Sequence, residues 1–271
     1  MKLKKLAKVL LVSTLAVGLL TGCSSGKNDE KTIVVGASST PHAEILEAAK
    51  PILEKDGYTL KVKEYDDYVL PNQALADGSL DANYFQHVPY LEETVKQKGY
   101  DLTYCAKVHI EPMGIYSNKV KKLDEVKDGD KVAVPNDSTN EARALKLLAK
   151  QGLIEVKDGE LITVKDITKN PKNLEFVEVD AAQVPSTLDD VAIAVINTNY
   201  ALNVGLNPTK DALAIESSES PYANIVAIRT EDKDSEKTKA LTKALNSDDV
   251  KKFIEDKKKT FDNKSKVIKI A

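Results

Sequence analysis

Residues 131–152 read Lys131-Val132-Ala133-Val134-Pro135-Asn136-Asp137-Ser138-Thr139-Asn140-Glu141-Ala142-Arg143-Ala144-Leu145-Lys146-Leu147-Leu148-Ala149-Lys150-Gln151-Gly152. Residues 131–134 form a short strand run, followed by a polar loop. Ser138-Thr139-Asn140-Glu141 then matches the capping box Ser/Thr-x-x-Glu, which satisfies the free N–H groups of a helix start. A Leu/Ala-rich helix follows and stops at Gly152. The same strand–loop–helix unit recurs on both sides. Thr32 to Ala37 is β-rich, Thr40-Pro41 reads as a helix start with proline at the first position, and residues 45, 46, 49, 52 and 53 make one apolar helical face. Thr59 to Tyr65 alternates like a strand, Pro71 to Ala76 opens a short helix, and Leu80 to Phe85 enters another strand. Val88 to Lys98 reads as a helix stopped at Gly99, and residues 108–116 as a strand. Leu174 to Val179, Ala192 to Ile196, Ala212 to Ile215 and Ile225 to Ile228 are further strand candidates, and the tail from Asp234 is charged and helical. Strands alternating with helices predict an α/β protein with mostly parallel sheets. The sequence shows no internal repeat.

Composition sets the outer limits. The chain has 271 residues, 42% hydrophobic and 30% charged, which suits a folded core of one or two domains. Lys2, Lys4, Lys5 and Lys8 precede an apolar run, Leu10 to Leu20, too short for a membrane span of about 20 residues but right for the core of an export signal. Without those four lysines, 35 basic and 42 acidic side chains leave a net charge of −7. Such a surface argues against nucleic acid as a partner, because binding it requires cations that displace counterions. Leu20-Thr21-Gly22-Cys23 resembles the lipobox of bacterial lipoproteins, in which the cysteine is lipidated and becomes the new N-terminus. Residues 1–22 are therefore expected to be a signal peptide. Residues 23–30 would be a lipidated tether on the extracytoplasmic face of the cell membrane. Cys105, left without a partner, fits a small buried hydrophobe.

In parallel sheets, ligands bind at the carboxyl ends of strands near helix N-termini. The loops to inspect are therefore those around Tyr68, Phe85-Gln86-His87, Asn136 to Asn140, Asn197-Thr198-Asn199 and Ser220 to Asn224. Arg143 lies one turn into its helix and is one of only two arginines beside 37 lysines, so it is a choice rather than a default. A guanidinium there suits a planar, two-pronged grip on a carboxylate. The competing reading is an arginine paired with Glu141 or a sheet-edge acid. Tyr68, Phe85, His87 and Tyr90 can converge into an aromatic wall that accepts an apolar or thioether side chain. Asn140, Asn197 and Asn224 offer neutral donors and acceptors, although loop asparagines commonly serve turns.

Catalytic constellations are missing: there is no Gly-x-Ser-x-Gly elbow, Walker loop or Gly-x-Gly-x-x-Gly. His42, His87 and His109 are too scattered to predict a metal site, and nothing calls for a cofactor. The expectation is a binding protein, not an enzyme.

An ordered set of motifs carries a family resemblance. It comprises the lipobox, Asp67-Tyr68-Val69-Leu70-Pro71-Asn72, Asp81-Ala82-Asn83-Tyr84-Phe85-Gln86-His87 with Pro89-Tyr90-Leu91, and Val134-Pro135-Asn136-Asp137. Thr139-Asn140 with Arg143, Val195-Ile196-Asn197-Thr198 and Ser220-Pro221-Tyr222 with Asn224 complete it. Together, over nearly the whole mature chain, they resemble the NlpA family of methionine-binding lipoproteins of ABC importers. The resemblance implies a two-lobed periplasmic-binding-protein fold of type II-like form, with a hinge crossed twice. Lobe one would be residues 31–111 plus 222–271, and lobe two residues 112–221. It further implies Arg143 as carboxylate clamp, with Asn140, Asn197 and Asn224 on the α-amino and carboxylate groups. Tyr68, Phe85, His87 and Tyr90 would surround the side chain. The implied ligand is L-methionine, with another amino acid or a methionine-containing dipeptide as alternatives. The implied partners are the permease and ATPase of an ABC importer, served by a monomer. An exported enzyme on the same scaffold and a surface lipoprotein with an adhesive role are the remaining readings.

Overall fold

The computed structural model describes residues 30–217, 221–261 and 269–270. The signal peptide, Cys23 and nearly all of the tether fall outside the described residues, as does Ser220. The first sheet is built from β1 (Thr32–Ala37), β2 (Thr59–Glu64), β3 (Ala82–His87), β4 (Leu102–Ile110), β12 (Ala223–Arg229) and β13 (Lys269–Ile270). The second contains β5 (Gly114–Tyr116), β6 (Lys131–Pro135), β9 (Glu175–Val179), β10 (Ile193–Ile196) and β11 (Ala214–Ile215). A small hairpin, β7 (Glu155–Val156) with β8 (Ile167–Lys169), stands apart. The spatial orders are β13-β4-β12-β3-β1-β2 and β11-β5-β10-β6-β9. The chain passes from the first sheet to the second after β4 and returns before β12.

Both sheets are mixed rather than parallel throughout, and the crossings explain why. β1, β2 and β3 pair in parallel, as do β10, β6 and β9. β5 runs against β10, and β12 against both β3 and β4. A chain that leaves one sheet at the carboxyl ends of its strands enters the other at the same end. The first strand after each crossing must therefore run backwards, and those strands are β5 and β12. The expected strand over 108–116 accordingly divides into the end of β4 and β5, with Glu111-Pro112-Met113 making the crossing.

Helices cover both faces of each sheet. Ile33 and Val35 of β1 pack against Leu46 and Leu53 of α1 (Glu44–Lys55), with Leu241 and Leu245 of α6 (Glu236–Leu245) and Ile254 of α7 (Asp248–Phe261). The opposite face buries Leu75 of α2 (Leu70–Ala76) and Leu91 of α3 (Val88–Lys98) against Ile225 and Ala227. In the second sheet, Ile115, Val132, Val134 and Val195 pack against Leu145 and Leu148 of α4 (Ser138–Lys150). Tyr200 and Ala201 of α5 (Thr198–Asn203) cover its other face. Each fully buried leucine contributes about 1.5–3 kcal/mol. Among the described residues, no helix is long and apolar enough to cross a membrane.

One helix start fits the sequence expectation in its backbone and another differs. Thr40 is extended (φ −127, ψ 132), as an N-cap residue is, and a helical turn from Pro41 leads into α1, although no side-chain cap bond forms there. Before α4 the cap is Asp137, one residue earlier than the capping box requires. Its carboxylate accepts from the backbone N–H of Asn140 at 2.9 Å. Glu141 does not fold back to the cap and instead accepts from the N–H of Val164 at 2.9 Å. A carboxylate competes well with a hydroxyl for the helix-start N–H groups.

Candidate functional site

Between the two sheets lies a cavity of about 330 Å³, lined by Tyr68, Phe85, Gln86, His87, Tyr90, Glu111, Asn140, Arg143, Asn197, Thr198, Asn199 and Asn224. All eight side chains singled out in the sequence are brought to it. The reason is topological: Phe85 and His87 end β3, Asn197 follows β10, Asn140 and Arg143 open α4, and Asn224 starts β12.

The aromatic wall is continuous. Ring centroids of Tyr68 lie 5.6 Å from Phe85 and 5.8 Å from Tyr90, and Phe85 lies 6.0 Å from Tyr90. Tyr68 is held from three directions. Asp67 accepts from the N–H groups of Val69 and Leu70, Tyr90 donates to the Tyr68 carbonyl at 3.0 Å, and the Tyr68 hydroxyl donates to Asn199 at 2.5 Å. Asn72 and Asn83 support this loop from beneath. Asn72 exchanges two hydrogen bonds with Gln86, and Asn83 donates to the Pro71 carbonyl.

The polar side has a fixed hydrogen-bond direction. His87 caps α3 through Nδ1, which accepts from the N–H of Tyr90 at 3.2 Å. Its proton therefore sits on Nε2, which donates to Asn140 Oδ1 at 3.2 Å. Burial, reinforced by the nearby Arg143 charge, takes His87 down to about 3, so the ring is neutral at physiological pH. Asn140 Oδ1 also accepts from Asn197 at 2.8 Å, while its amide nitrogen donates to Asp137 at 3.0 Å. Two buried amide atoms, Asn197 Oδ1 and Asn199 Nδ2, lack a protein partner among the described residues.

Arg143 departs from the expected geometry. Its Nε lies 3.1 Å from both Glu216 oxygens, and Nη2 lies 2.6 Å from Glu216 Oε2 and 2.7 Å from the Glu111 carbonyl. The Tyr222 ring stacks on the guanidinium at 4.3 Å. The two-pronged Nε/Nη2 edge is thus taken by the chain itself, and Nη1 makes none of these bonds. The edge that a bidentate clamp on a ligand carboxylate would use is therefore occupied by Glu216 and the Glu111 carbonyl. Sequence reasoning had allowed for an acid partner, but Glu216 lies 73 positions away and nothing local marks it.

Glu111 is the cavity residue that sequence reading missed most completely. The two histidines outside the cavity lining, His42 and His109, bring Nε2 to 3.3 and 2.6 Å from its Oε1. Burial raises the Glu111 carboxyl, but His42, His109 and Arg143 outweigh it and hold it below the ordinary carboxylate value. His42, His109 and Glu111 are also the set of metal-ligand type that meets among the described residues. The 2.6 Å approach of His109 to Glu111 is a hydrogen-bond length. Two ligands of a tetrahedral ion with bonds of about 2.0–2.1 Å would stand further apart.

This combination of two sheets joined by a double crossing and a polar–aromatic cavity between them defines a ligand-binding protein. The model of the NlpA lipoprotein family matches residues 33–266, and the chain belongs to that family, one of substrate-binding lipoproteins rather than enzymes. It is 46% identical over 256 residues to the D-methionine-binding lipoprotein MetQ of Escherichia coli (strain K12), covering 92% of this chain and 93% of that protein. Identity to the methionine-binding lipoprotein MetQ of Bacillus subtilis (strain 168) is 46% over 250 residues, 89% and 90% of the two chains. Among solved structures, a nutrient binding protein from Burkholderia cenocepacia bound to methionine superposes with a TM-score of 0.83. It is 47% identical, over 88% of this chain and 99% of that one.

Proposed function

We propose that this protein captures L-methionine between two lobes and hands it to an ABC importer. The observation that carries the reading is one cavity holding a cation, a buried carboxylate and a continuous aromatic wall. A zwitterion with an apolar, thioether-bearing side chain meets all three. Arg143, through Nη1, takes the α-carboxylate, aided by amide donors of Asn199 and Asn224. Glu111 and Asn197 Oδ1, both acceptors, take the α-ammonium. Asn140 braces Asn197 and His87, and Tyr68, Phe85, His87 and Tyr90 enclose the side chain. The lobes are residues 31–111 with 222–271, and residues 112–221, their boundaries falling where the chain crosses between sheets. Relatives at 46% identity, one named for D-methionine binding and one for methionine binding, support methionine as the ligand class.

The rest of the reading follows from the lipoprotein family and the N-terminal sequence. Residues 1–22 are removed, Cys23 is lipidated, and residues 23–30 tether the protein to the extracytoplasmic face of the membrane. There the protein works as a monomer beside a permease and its ATPase. Mass spectrometry of the purified protein, first native and then denatured, tests the ligand directly. A released mass of methionine supports the reading. Release of another amino acid or a methionine-containing dipeptide replaces the ligand, and continuous turnover of an added substrate would indicate an enzyme.

A further inference from the structure

Behind the cavity wall, five side chains from four elements form one hydrogen-bonded chain. Tyr84 comes from β3, His109 and the following Glu111 from β4 and its end, His42 from the turn before α1, and Asn224 from β12. None of the five is more than 5% exposed, apart from Asn224 at 6%. An ionised carboxylate only accepts, so His109 Nε2, 2.6 Å from Glu111 Oε1, carries a proton. The other ring nitrogen, Nδ1, is hydrogen-bonded to the hydroxyl of Tyr84. The same logic places the His42 proton on Nε2, which reaches Glu111 Oε1 at 3.3 Å and Asn224 Oδ1 at 3.0 Å. That proton turns the Asn224 amide so that its oxygen faces His42 and its NH₂ remains as a donor. His42 Nδ1 is buried and has no partner among the described residues. A bare lone pair there costs little, whereas an N–H would be an unsatisfied buried donor.

Both rings therefore direct an N–H at one carboxylate oxygen and hold the Glu111 carboxylate in a fixed orientation. A neutral His42 does so without cancelling the carboxylate charge. Burial takes His42 down to about 4, in agreement with this assignment.

We propose that His42 and His109 are positioning residues for ligand recognition, pinning Oε1 of Glu111 so that the carboxylate is aimed at the ligand's ammonium group. The proposal rests on the zwitterion reading above. Neither histidine lines the cavity, so each acts through Glu111 and, for His42, through Asn224 as well.

The test uses the mature chain stripped of ligand, titrated with methionine and with its deaminated analogue methylthiobutanoate, which keeps the carboxylate and thioether but has no ammonium. In His109→Leu, methionine should bind about tenfold to a hundredfold more weakly, the range for losing a hydrogen bond to a charged group. The analogue, measured by displacement, should change by less than about threefold, because its binding does not use Glu111. His109→Gln, which restores an N–H donor, should recover part of the methionine affinity. Equal losses for both ligands, or no loss for methionine, would overturn the proposal. Nitrogen NMR of the unmodified chain gives a reading that does not depend on any variant folding. The His42 imidazole should be neutral with its proton on Nε2 at neutral pH, and His109 should carry a proton on Nε2, with and without methionine; a His42 imidazolium, or a bare Nε2 on either ring, overturns the assignment. Failure of the parent chain to bind methionine at all would instead remove the zwitterion reading.

Discussion

The guanidinium of Arg143 and the carboxylate of Glu216 meet at 2.6 Å, with side chains only 4% and 16% exposed. The Nε/Nη2 edge of this cavity-lining cation is thus engaged within the chain itself. Glu216 also accepts from the backbone N–H of Met113 at 3.2 Å, at the crossing between sheets, so the pair ties the start of α4 to the hinge.

Arg143→Ala therefore has two consequences. Methionine loses the partner of its buried carboxylate, which should cost roughly 3–5 kcal/mol, or about two to three decades in affinity. Glu216 loses its counter-charge, so the melting temperature of the ligand-free protein should fall too. Arg143→Lys should bind poorly as well, since one ammonium cannot serve Glu216, the Glu111 carbonyl and a ligand together. The double variant Arg143→Ala/Glu216→Ala should melt higher than Arg143→Ala alone, because removing both partners leaves no orphaned charge. Calorimetric titration and thermal melts check both points, and affinity unchanged within about threefold in Arg143→Ala would take this residue out of the site.

Acid should weaken the fold through its buried histidines. His42 and His87 are held at about 4 and about 3 by burial, against an unfolded value of 6.5. Between those values the unfolded chain binds protons that the folded chain refuses. The stability they contribute is complete above pH 6.5 and is lost as pH falls towards their folded values. Each ring accounts for on the order of 3 kcal/mol by pH 4, at 1.36 kcal/mol per unit. Asp137, raised by burial, works in the opposite sense and offsets part of the loss. Melts across pH 7.5 to 4.5 should show a steep decline, made shallower by His87→Gln. A flat profile would contradict buried neutral rings.

How far the site could be read in advance depended on the distance of its causes along the chain. The eight cavity residues were legible because strand ends and helix starts are local features, and the parallel-sheet rule brings them together. Glu111 was not, since an acid between Ile110 and Pro112 looks like any loop acid until His42 and His109 fold against it. Glu216 was invisible for the same reason. The capping error at Asp137 was local: Asp137 and Ser138 are both good caps, and only the backbone decides between them. The reversed strands β5 and β12 followed from the crossings, which the family resemblance implied but strand patterning alone could not orient.

Anchoring has a separate test, because Cys23 and the residues before it lie outside the described part of the chain. Single-chain acylation gives only marginal membrane binding, whereas a multiply acylated cysteine holds firmly, each buried CH₂ adding about 0.8 kcal/mol. Fractionation of cells expressing Cys23→Ala should move the protein from the membrane to the soluble or secreted fraction. Retention as firm as that of the parent chain would refute the lipobox reading.

The ligand itself can be separated from its rivals by thermal shift on stripped protein. A ligand that binds only the folded form, at 100 times its dissociation constant, stabilises it by about 2.7 kcal/mol, which amounts to several degrees in melting temperature. L-Methionine should reach that. The wall of Tyr68, Phe85 and Tyr90, with centroids 5.6–6.0 Å apart, encloses a slot suited to a flexible thioether. Each sulfur–aromatic contact there adds about 0.3–1.5 kcal/mol. Leucine at equal concentration has the charges but neither the length nor the sulfur, and should shift the melt far less. Methionine methyl ester keeps the ammonium for Glu111 but offers Arg143 no anion, so its shift should be close to zero. Gly-Met is the informative competitor. Its ammonium stands one residue further from the carboxylate, so with Arg143 engaged it cannot also meet Glu111 without moving the thioether out of the aromatic slot. A larger shift with Gly-Met than with methionine would leave the fold and the Arg143 carboxylate site standing and would make the ligand a dipeptide.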